Sequence, residues 1–429
     1  MPRIHLVIAL VCAFLVSSVA SAQGGRAPWG TGQSHGEDLE IYLVTFGPGD
    51  EVVSWFGHTA LVVEDSRLDQ RRLYNYGMFS FGPDMLPKFA MGRLEFWVEG
   101  TTMVVPTYRF YARANRDVRI QRLNLSPAKK LELALSLDEN VLPQNREYLY
   151  HHYFDNCSTR PRDIIDRALD GQLKKVASVP SRMTLRDQTR RHSAAMAPMS
   201  VLLDFLMNDE IDQPISNWEE TFLPQELEAL VARTQYVDAE GKTVPLVAEE
   251  QVWFKSTRTP VPATPPGYAM WLLLIGGVLG GSAFGLATWY RRTRSWLPRV
   301  LLGIENALLG LVFGLPGTAL LIMGMITNHT VTFRNENLLL ANPVTLIALP
   351  MGIALTWGSL RAARWLRAAW TFLSATGAVA LLIKVVPLFD QDNWRIIALV
   401  LPISLGMAAA SVVYARAVAP ARQPAVQGA

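Results

Sequence analysis

Apolar and polar positions alternate over short distances between Leu39 and Ser256, where no apolar run is long enough to cross a bilayer. Ile41-Tyr42-Leu43-Val44-Thr45-Phe46 predicts a buried strand, closed by the turn Gly47-Pro48-Gly49-Asp50. His58-Thr59-Ala60-Leu61-Val62-Val63 predicts a second strand after Gly57, and Leu73-Tyr74-Asn75-Tyr76 a third, ended at Gly77. Ser126-Pro127 starts a helix, because a hydroxyl caps free N–H groups and proline suits the first turn. Leu131, Ala134 and Leu135 give that helix its apolar face. From Pro180 to Ala232 the pattern predicts helices and loops, with apolar clusters at Val201-Leu202-Leu203 and Phe205-Leu206.

The pattern changes after residue 256. Thr257 to Pro266 carries Pro260, Pro262, Pro265 and Pro266 and reads as a stiff linker. Five apolar stretches follow, at Tyr268–Tyr290, Val300–Ile326, Leu338–Trp357, Ala368–Phe389 and Ile396–Tyr414, each near the ~20 residues that span the hydrocarbon core. Arg291, Arg292, Arg294 and Arg299 fill the first loop, Arg361, Arg364 and Arg367 the third, and Arg416 and Arg422 the tail. Positive loops stay cytoplasmic, so the domain ahead of the linker lies outside. The start of the chain agrees independently: Arg3, an apolar run from Ile8 to Val19 and Ala20-Ser21-Ala22 have the layout of a signal peptide cleaved after Ala22. Within the spans, Lys384 and Glu305 lie near helix ends, from which their charges can snorkel to the interface. The predicted organisation is a signal peptide at 1–22, a mobile leader at 23–38, a periplasmic domain at 39–256, a linker at 257–266, five transmembrane helices over 267–415 and a cytoplasmic tail at 416–429.

Half the residues are hydrophobic and the net charge is only +3, which marks no nucleic-acid partner. The sequence holds no metal-ligand cluster, no glycine-rich phosphate loop and no internal repeat, so neither metal nor cofactor is expected. Of its two cysteines, Cys12 falls in the predicted signal peptide, leaving Cys157 as the one thiol of the mature chain. Ile164, Ile165, Ala168 and Leu169 behind it recur at helical spacing, and Pro161 places the helix start close to Cys157. Orphan N–H groups, the helix dipole and the nearby Arg160 and Arg162 predict a thiol pKa below the ordinary 8.5 or so. A nucleophilic thiol needs an imidazole. Among the histidines, His58 opens the second strand and so fits a papain-like site, with its cysteine at a helix start and its histidine on an adjacent strand. Asn75, on the neighbouring strand, is the candidate for orienting the imidazole. The other readings of Cys157 are a small buried cap residue and an inert thiol in a binding protein.

Gly57-His58-Thr59-Ala60-Leu61, Tyr74-Asn75-Tyr76-Gly77, Asp155-Asn156-Cys157-Ser158-Thr159-Arg160 and Phe222-Leu223-Pro224 resemble the periplasmic domain of Lnb-type bacterial lipoprotein N-acyltransferases. The stretch from His329-Thr330 through Asn335-Glu336-Asn337-Leu338-Leu339-Leu340 to Asn342-Pro343 resembles the matching membrane-domain signature. The histidine-before-cysteine order is also similar to circularly permuted NlpC-type papain-like folds. The resemblance implies an α+β papain-like extracytoplasmic domain followed by an all-α domain of five membrane helices. It implies a membrane-bound enzyme that moves a fatty acyl chain through a thioester on Cys157, with His58 and Asn75 catalytic, to the α-amine of a diacylglyceryl-modified lipoprotein. The donor is a phospholipid or a lipoprotein ester, and the location is the bacterial inner membrane. Asn156, Arg160, Tyr74, His329, Asn335 and Asn337 are the expected substrate-binding residues, and the His329 loop is expected to help exclude water. The competing reading is a membrane-anchored papain-like cysteine peptidase or amidase acting on cell-wall peptides.

Overall fold

A computed structural model of the chain describes residues 25–79 and 85–418. The predicted signal peptide with its cleavage site and Cys12, and the tail beyond Val418, lie outside the described residues. The chain forms two compact units, one from the residues up to Arg182 with Pro214–Val261, the other from Met183–Gln213 with the residues from Pro262 onward. Residues 183–213, expected within the periplasmic domain, therefore pack with the membrane helices.

The first unit is built on a seven-stranded sheet of β1 (Leu39–Phe46), β2 (His58–Asp65), β3 (Gln70–Met78), β4 (Glu95–Thr101), β5 (Val118–Leu123), β6 (Glu147–Leu149) and β7 (Val247–Phe254), ordered β6-β4-β3-β2-β1-β5-β7 with antiparallel pairings. The strands that matter for the site are β1, β2, β3 and, at the edge, β6. Side chains of a strand alternate between its faces. Leu39, Ile41, Leu43, Leu61, Val63, Tyr74 and Tyr76 thus share one core with the helices Pro127–Asn140, Thr159–Ala168 and Pro224–Arg233. Val44, Phe46, Ala60, Val62 and Leu73 face the other way, against Val104 and Tyr108 of the helix Val104–Arg113. Ser126 caps the helix that Pro127 begins, but its buried face is Leu133, Ala134 and Leu137, while Leu135 is exposed.

The predicted mobile leader is docked from residue 25 onward. Trp29 is buried and its indole donates to the hydroxyl of Tyr74 at 2.8 Å. Asp138 accepts from Ala27 N and from Arg26 Nε, each at 2.9 Å. The glycines and polar residues around Trp29 hid this anchor from a reading based on average composition.

In the second unit four helices are long and apolar enough to cross a membrane: Ala269–Thr293, Trp296–Ile326, the helix beginning at Leu360, and Trp394–Val418. The predicted third span is broken. Short 3-10 turns lead to Asn342, which caps the helix that starts at Pro343, and the two pieces are bent by 61°. This broken segment still runs antiparallel along Trp296–Ile326, since Gly317 abuts Ala341 near one end and Gly303 abuts Gly352 near the other. Small residues allow such close backbone approach. The next helix begins at Leu360, capped by Ser359, and not at Ala368, because its basic first turns stay helical.

Residues 183–213 are held to the bundle by buried polar contacts. The last carbonyls of an α-helix have no partner within it. For the helix Ala197–Leu206 they are taken by Asn335, donating to Leu206 O at 3.0 Å, and Asn337, donating to Phe205 O at 2.9 Å. Arg190 reaches Asp204 at 2.9 Å and also pairs with Asp392, and Arg395 meets Asp204 at 3.1 Å. Lys384 does not snorkel: it is buried against Glu336 and donates to Gln391 O at 2.7 Å. Glu305 accepts from the hydroxyl of Ser282.

Trp29→Ala should destabilise the first unit by about 3–5 kcal/mol, the usual range for deleting a buried tryptophan. Denaturant unfolding followed by fluorescence measures it; a loss below about 1 kcal/mol would mean that the leader is not part of the core.

Candidate active site

Two glycines shape the rim of the sheet where the site lies. Gly57 has φ +81°, which turns the chain into β2 at His58, and a Cβ there would lie 3.0 Å from Phe46 O. Gly77 has φ +87° and marks a shift in the β3–β4 register between Tyr76 and Met78. A left-handed glycine at a bulge bends the strand and frees the space beside it. That space receives Cys157: a Cβ on Gly77 would sit 3.3 Å from the Cβ of Cys157 and 3.9 Å from the hydroxyl of Tyr148.

The thiol is presented by a tightly bonded loop. Asn156 is buried, and its Oδ1 accepts from the N–H groups of Ser158 at 2.7 Å and Thr159 at 2.9 Å. These are donors at the start of the helix Thr159–Ala168, so Asn156 caps it from two residues upstream of the N-cap Ser158. Its Nδ2 donates to His152 O at 2.6 Å and to Phe222 O at 2.9 Å. The Ser158 hydroxyl donates to Thr221 O at 2.7 Å. The Phe222-Leu223-Pro224 motif is thereby explained as the shelf under the cysteine loop.

Asn75 and His58 lie on one face of β2 and β3, and His58 Nε2 is 2.5 Å from Asn75 Oδ1. A carboxamide oxygen only accepts, so the ring proton resides on Nε2 and the lone pair on Nδ1. The His58 ring lies 6.0 Å from both Phe46 and Tyr111, which stack on each other at 3.8 Å. Cys157 is placed next to this strand: the N–H of Thr59, the residue after His58, bonds to its sulfur. His58, Asn75 and Cys157 are each partly buried.

Electrostatics depart from the expectation of a lowered thiol pKa. Burial pushes the Cys157 thiol up to about 11, against the pull of the Thr59 N–H and the Arg116 charge. Burial pushes His58 down to about 4, with the Asn75 bond opposing and Arg116 assisting. The resting pair at neutral pH is thus thiol and neutral imidazole. The arginines that were expected to help are engaged elsewhere. Arg160 is bidentate to Asp155 at 2.5 and 2.7 Å, and Arg162 pairs with Asp163 and donates to Trp218 O at 2.8 Å.

Of the other predicted substrate-binding residues, Tyr74 lies on the opposite face of β3, buried in the core and bonded to Trp29. Asn156 has its carboxamide occupied by backbone groups. Arg160 covers the ring of Tyr148 at 4.1 Å, close to the thiol. His329, Asn335 and Asn337 belong to the second unit, where Asn335 and Asn337 are buried and hold helix carbonyls. Their amides are occupied by the last carbonyls of the helix Ala197–Leu206. The sequence reading missed Arg116, in the connection after the helix Val104–Arg113, Tyr111 on that helix and Tyr148 on β6, whose only signal is local aromatic and basic composition. Among the described residues no cluster of His, Cys, Asp or Glu could hold a metal ion.

Residues 26–191 match the family model described as the Lnb N-terminal periplasmic domain. No curated protein and no solved structure matches the chain.

The lowered His58 pKa has a sign that can be tested. An unfolded chain takes up the proton near pH 6.5, whereas the fold resists until about pH 4. His58 therefore costs no stability above pH 6.5, and stability is lost as pH falls from there towards 4. His58→Gln should flatten this part of the stability–pH curve relative to the parent; parallel curves would contradict a neutral buried imidazole. Iodoacetamide labelling of Cys157 should climb with pH well beyond 8.5, and a plateau below pH 8 would instead indicate a resting ion pair.

Proposed function

We propose that this chain, whose residues 26–191 match the Lnb N-terminal periplasmic domain and whose described residues include four helices long and apolar enough to cross a membrane, is an N-acyltransferase of the bacterial inner membrane. In this reading it moves a fatty acyl chain through a thioester on Cys157 to the α-amine of a diacylglyceryl-modified lipoprotein. The observation that carries the proposal is the constellation at the sheet rim: a thiol at a helix start, beside a strand histidine whose far nitrogen is bonded to an asparagine. That order of roles is the papain-like one, and we read the first unit as a permuted papain-like domain. Membrane helices on the same chain suit a substrate whose acyl chains stay in a bilayer.

The neutral resting pair defines the chemistry. As Cys157 Sγ attacks the ester carbonyl of a lipid donor, its proton passes to His58 Nδ1. The tetrahedral intermediate collapses with the glycerol oxygen leaving, and His58 returns the proton to that oxygen. The acceptor amine then attacks the thioester, gives a proton to His58, and the thiol departs protonated by the imidazolium. Asn75 holds the ring so that Nδ1 faces these transfers and supports the imidazolium through Nε2–H. Because the ion pair is uphill in the empty site, proton transfer accompanies attack rather than preceding it. The substrate-binding roles proposed for Arg160 and the His329 loop follow from the family resemblance.

His58→Ala should lower turnover by about 10²–10⁴-fold, the usual contribution of a positioned general base. Cys157→Ser should remove it while leaving the fold intact. A labelled acyl donor should leave a hydroxylamine-sensitive adduct on Cys157, with mass spectrometry of lipoprotein N-termini reporting the product. N-acylation without that adduct would reject the thioester, and cleavage of a peptidoglycan stem peptide would put the peptidase reading in its place.

A further inference from the structure

Arg116 follows the helix Val104–Arg113 and is 8% exposed. Its Nε donates to Gly47 O at 2.7 Å, and its guanidinium lies 4.7 Å over the ring of Tyr111. Its Nη2 is buried without an acceptor. Among the described residues no carboxylate forms an ion pair with it, and Glu51 acts on it only through its field. A buried cation that lacks a counter-ion is costly, and burying charge is usually compensated by pairing. Arg116 sits at the His58 end of β2: Gly47, to which it donates, follows Phe46, the partner of His58 across β1 and β2, and its charge acts on both Cys157 and His58. Tyr111, on which it rests, is the ring 6.0 Å from His58.

We propose that Arg116 is an anion subsite beside Cys157, whose free Nη2 binds the phosphodiester oxygen of a glycerophospholipid acyl donor. The proposal deepens the acyltransfer reading and rests on it for the identity of the ligand. Guanidinium is suited to the task because its planar donors match phosphate oxygens and its charge cannot be titrated away. A phospholipid carries its phosphodiester on the same glycerol as the ester carbonyl, so one molecule reaches both Arg116 and Cys157. A diacylglyceryl thioether has the same esters and no phosphate. The subsite therefore discriminates between the two classes of donor.

The test uses the thiol itself as reporter and needs no acyltransferase activity. In the full-length protein in detergent, Cys157 is alkylated at one pH with anionic iodoacetate and with neutral iodoacetamide. The iodoacetate-to-iodoacetamide rate ratio, relative to free cysteine, should be raised and should fall about tenfold in Arg116→Gln, the scale of one charge-assisted hydrogen bond. Any change in thiol pKa affects both reagents alike and cancels in the ratio. Arg116→Lys, which keeps the charge, should retain part of the preference, and thermal melting of each variant identifies loss of fold. Dioctanoyl phosphatidylglycerol should protect Cys157 from alkylation at lower concentration than dioctanoylglycerol, and Arg116→Gln should abolish that difference. An unraised ratio, or equal protection by the two lipids, would overturn the proposal. Failure to find an acyl adduct would reject acyl transfer but leave the alkylation ratio unchanged.

Discussion

Asn156 has both ends of its carboxamide bonded to backbone, and the geometry of the reactive loop follows from that. Its oxygen closes the start of the helix Thr159–Ala168, while its nitrogen ties the loop to His152 and to Phe222, which is distant in sequence. Cys157, the next residue, is left without conformational choice and is carried to the notch that Gly77 opens in β3. Aspartate at this position would lack the donor end, and alanine would lose both. In a buried loop each unmade bond leaves a backbone group unsatisfied, at about 1–3 kcal/mol apiece. The motif is thus a device for presenting the thiol, with the chemistry delegated to its neighbours.

Burial sets the character of those neighbours. The same desolvation that raises the thiol lowers the imidazole, so both are held neutral. Arg116 is the charge that leans the pair towards thiolate, and it does so while disfavouring imidazolium. One buried cation thereby has opposite effects on the two partners. Both groups are thus neutral at rest, in a field that favours negative over positive charge.

The strands β1, β2 and β3, the cysteine helix and the His58–Asn75 pairing were legible because they depend on local patterning: alternation, capping, and which residues precede a proline. Long-range polar contacts were not. Arg160 and Arg162 sit beside Cys157 in sequence, yet carboxylates at Asp155 and Asp163 claim them. Arg116, forty-one positions from Cys157 by their numbers in the chain, supplies the charge instead. The third membrane span was predicted as one helix from hydropathy alone, which does not register that a 3-10 turn ends at Leu339 and Asn342 caps a new helix at Pro343. Trp29 was hidden by its surroundings of glycine and polar residues, although its indole reaches Tyr74 across the core.

The pairing of residues 183–213 with the second unit has a consequence in time. Arg190 and Asp392 are separated by 202 positions. At ribosomal rates of about 5–20 residues per second, roughly 10–40 s pass between the synthesis of the one and of the other. For most of that interval Arg190 and Asp204 have been made while Asp392 and Arg395 have not. The helices Leu185–His192 and Ala197–Leu206 thus exist for that time without the partners that bury their charged side chains. Asn335 and Asn337 can take the helix carbonyls earlier, but the pairs of Arg190 with Asp392 and of Asp204 with Arg395 form only once the start of the last membrane helix has been made.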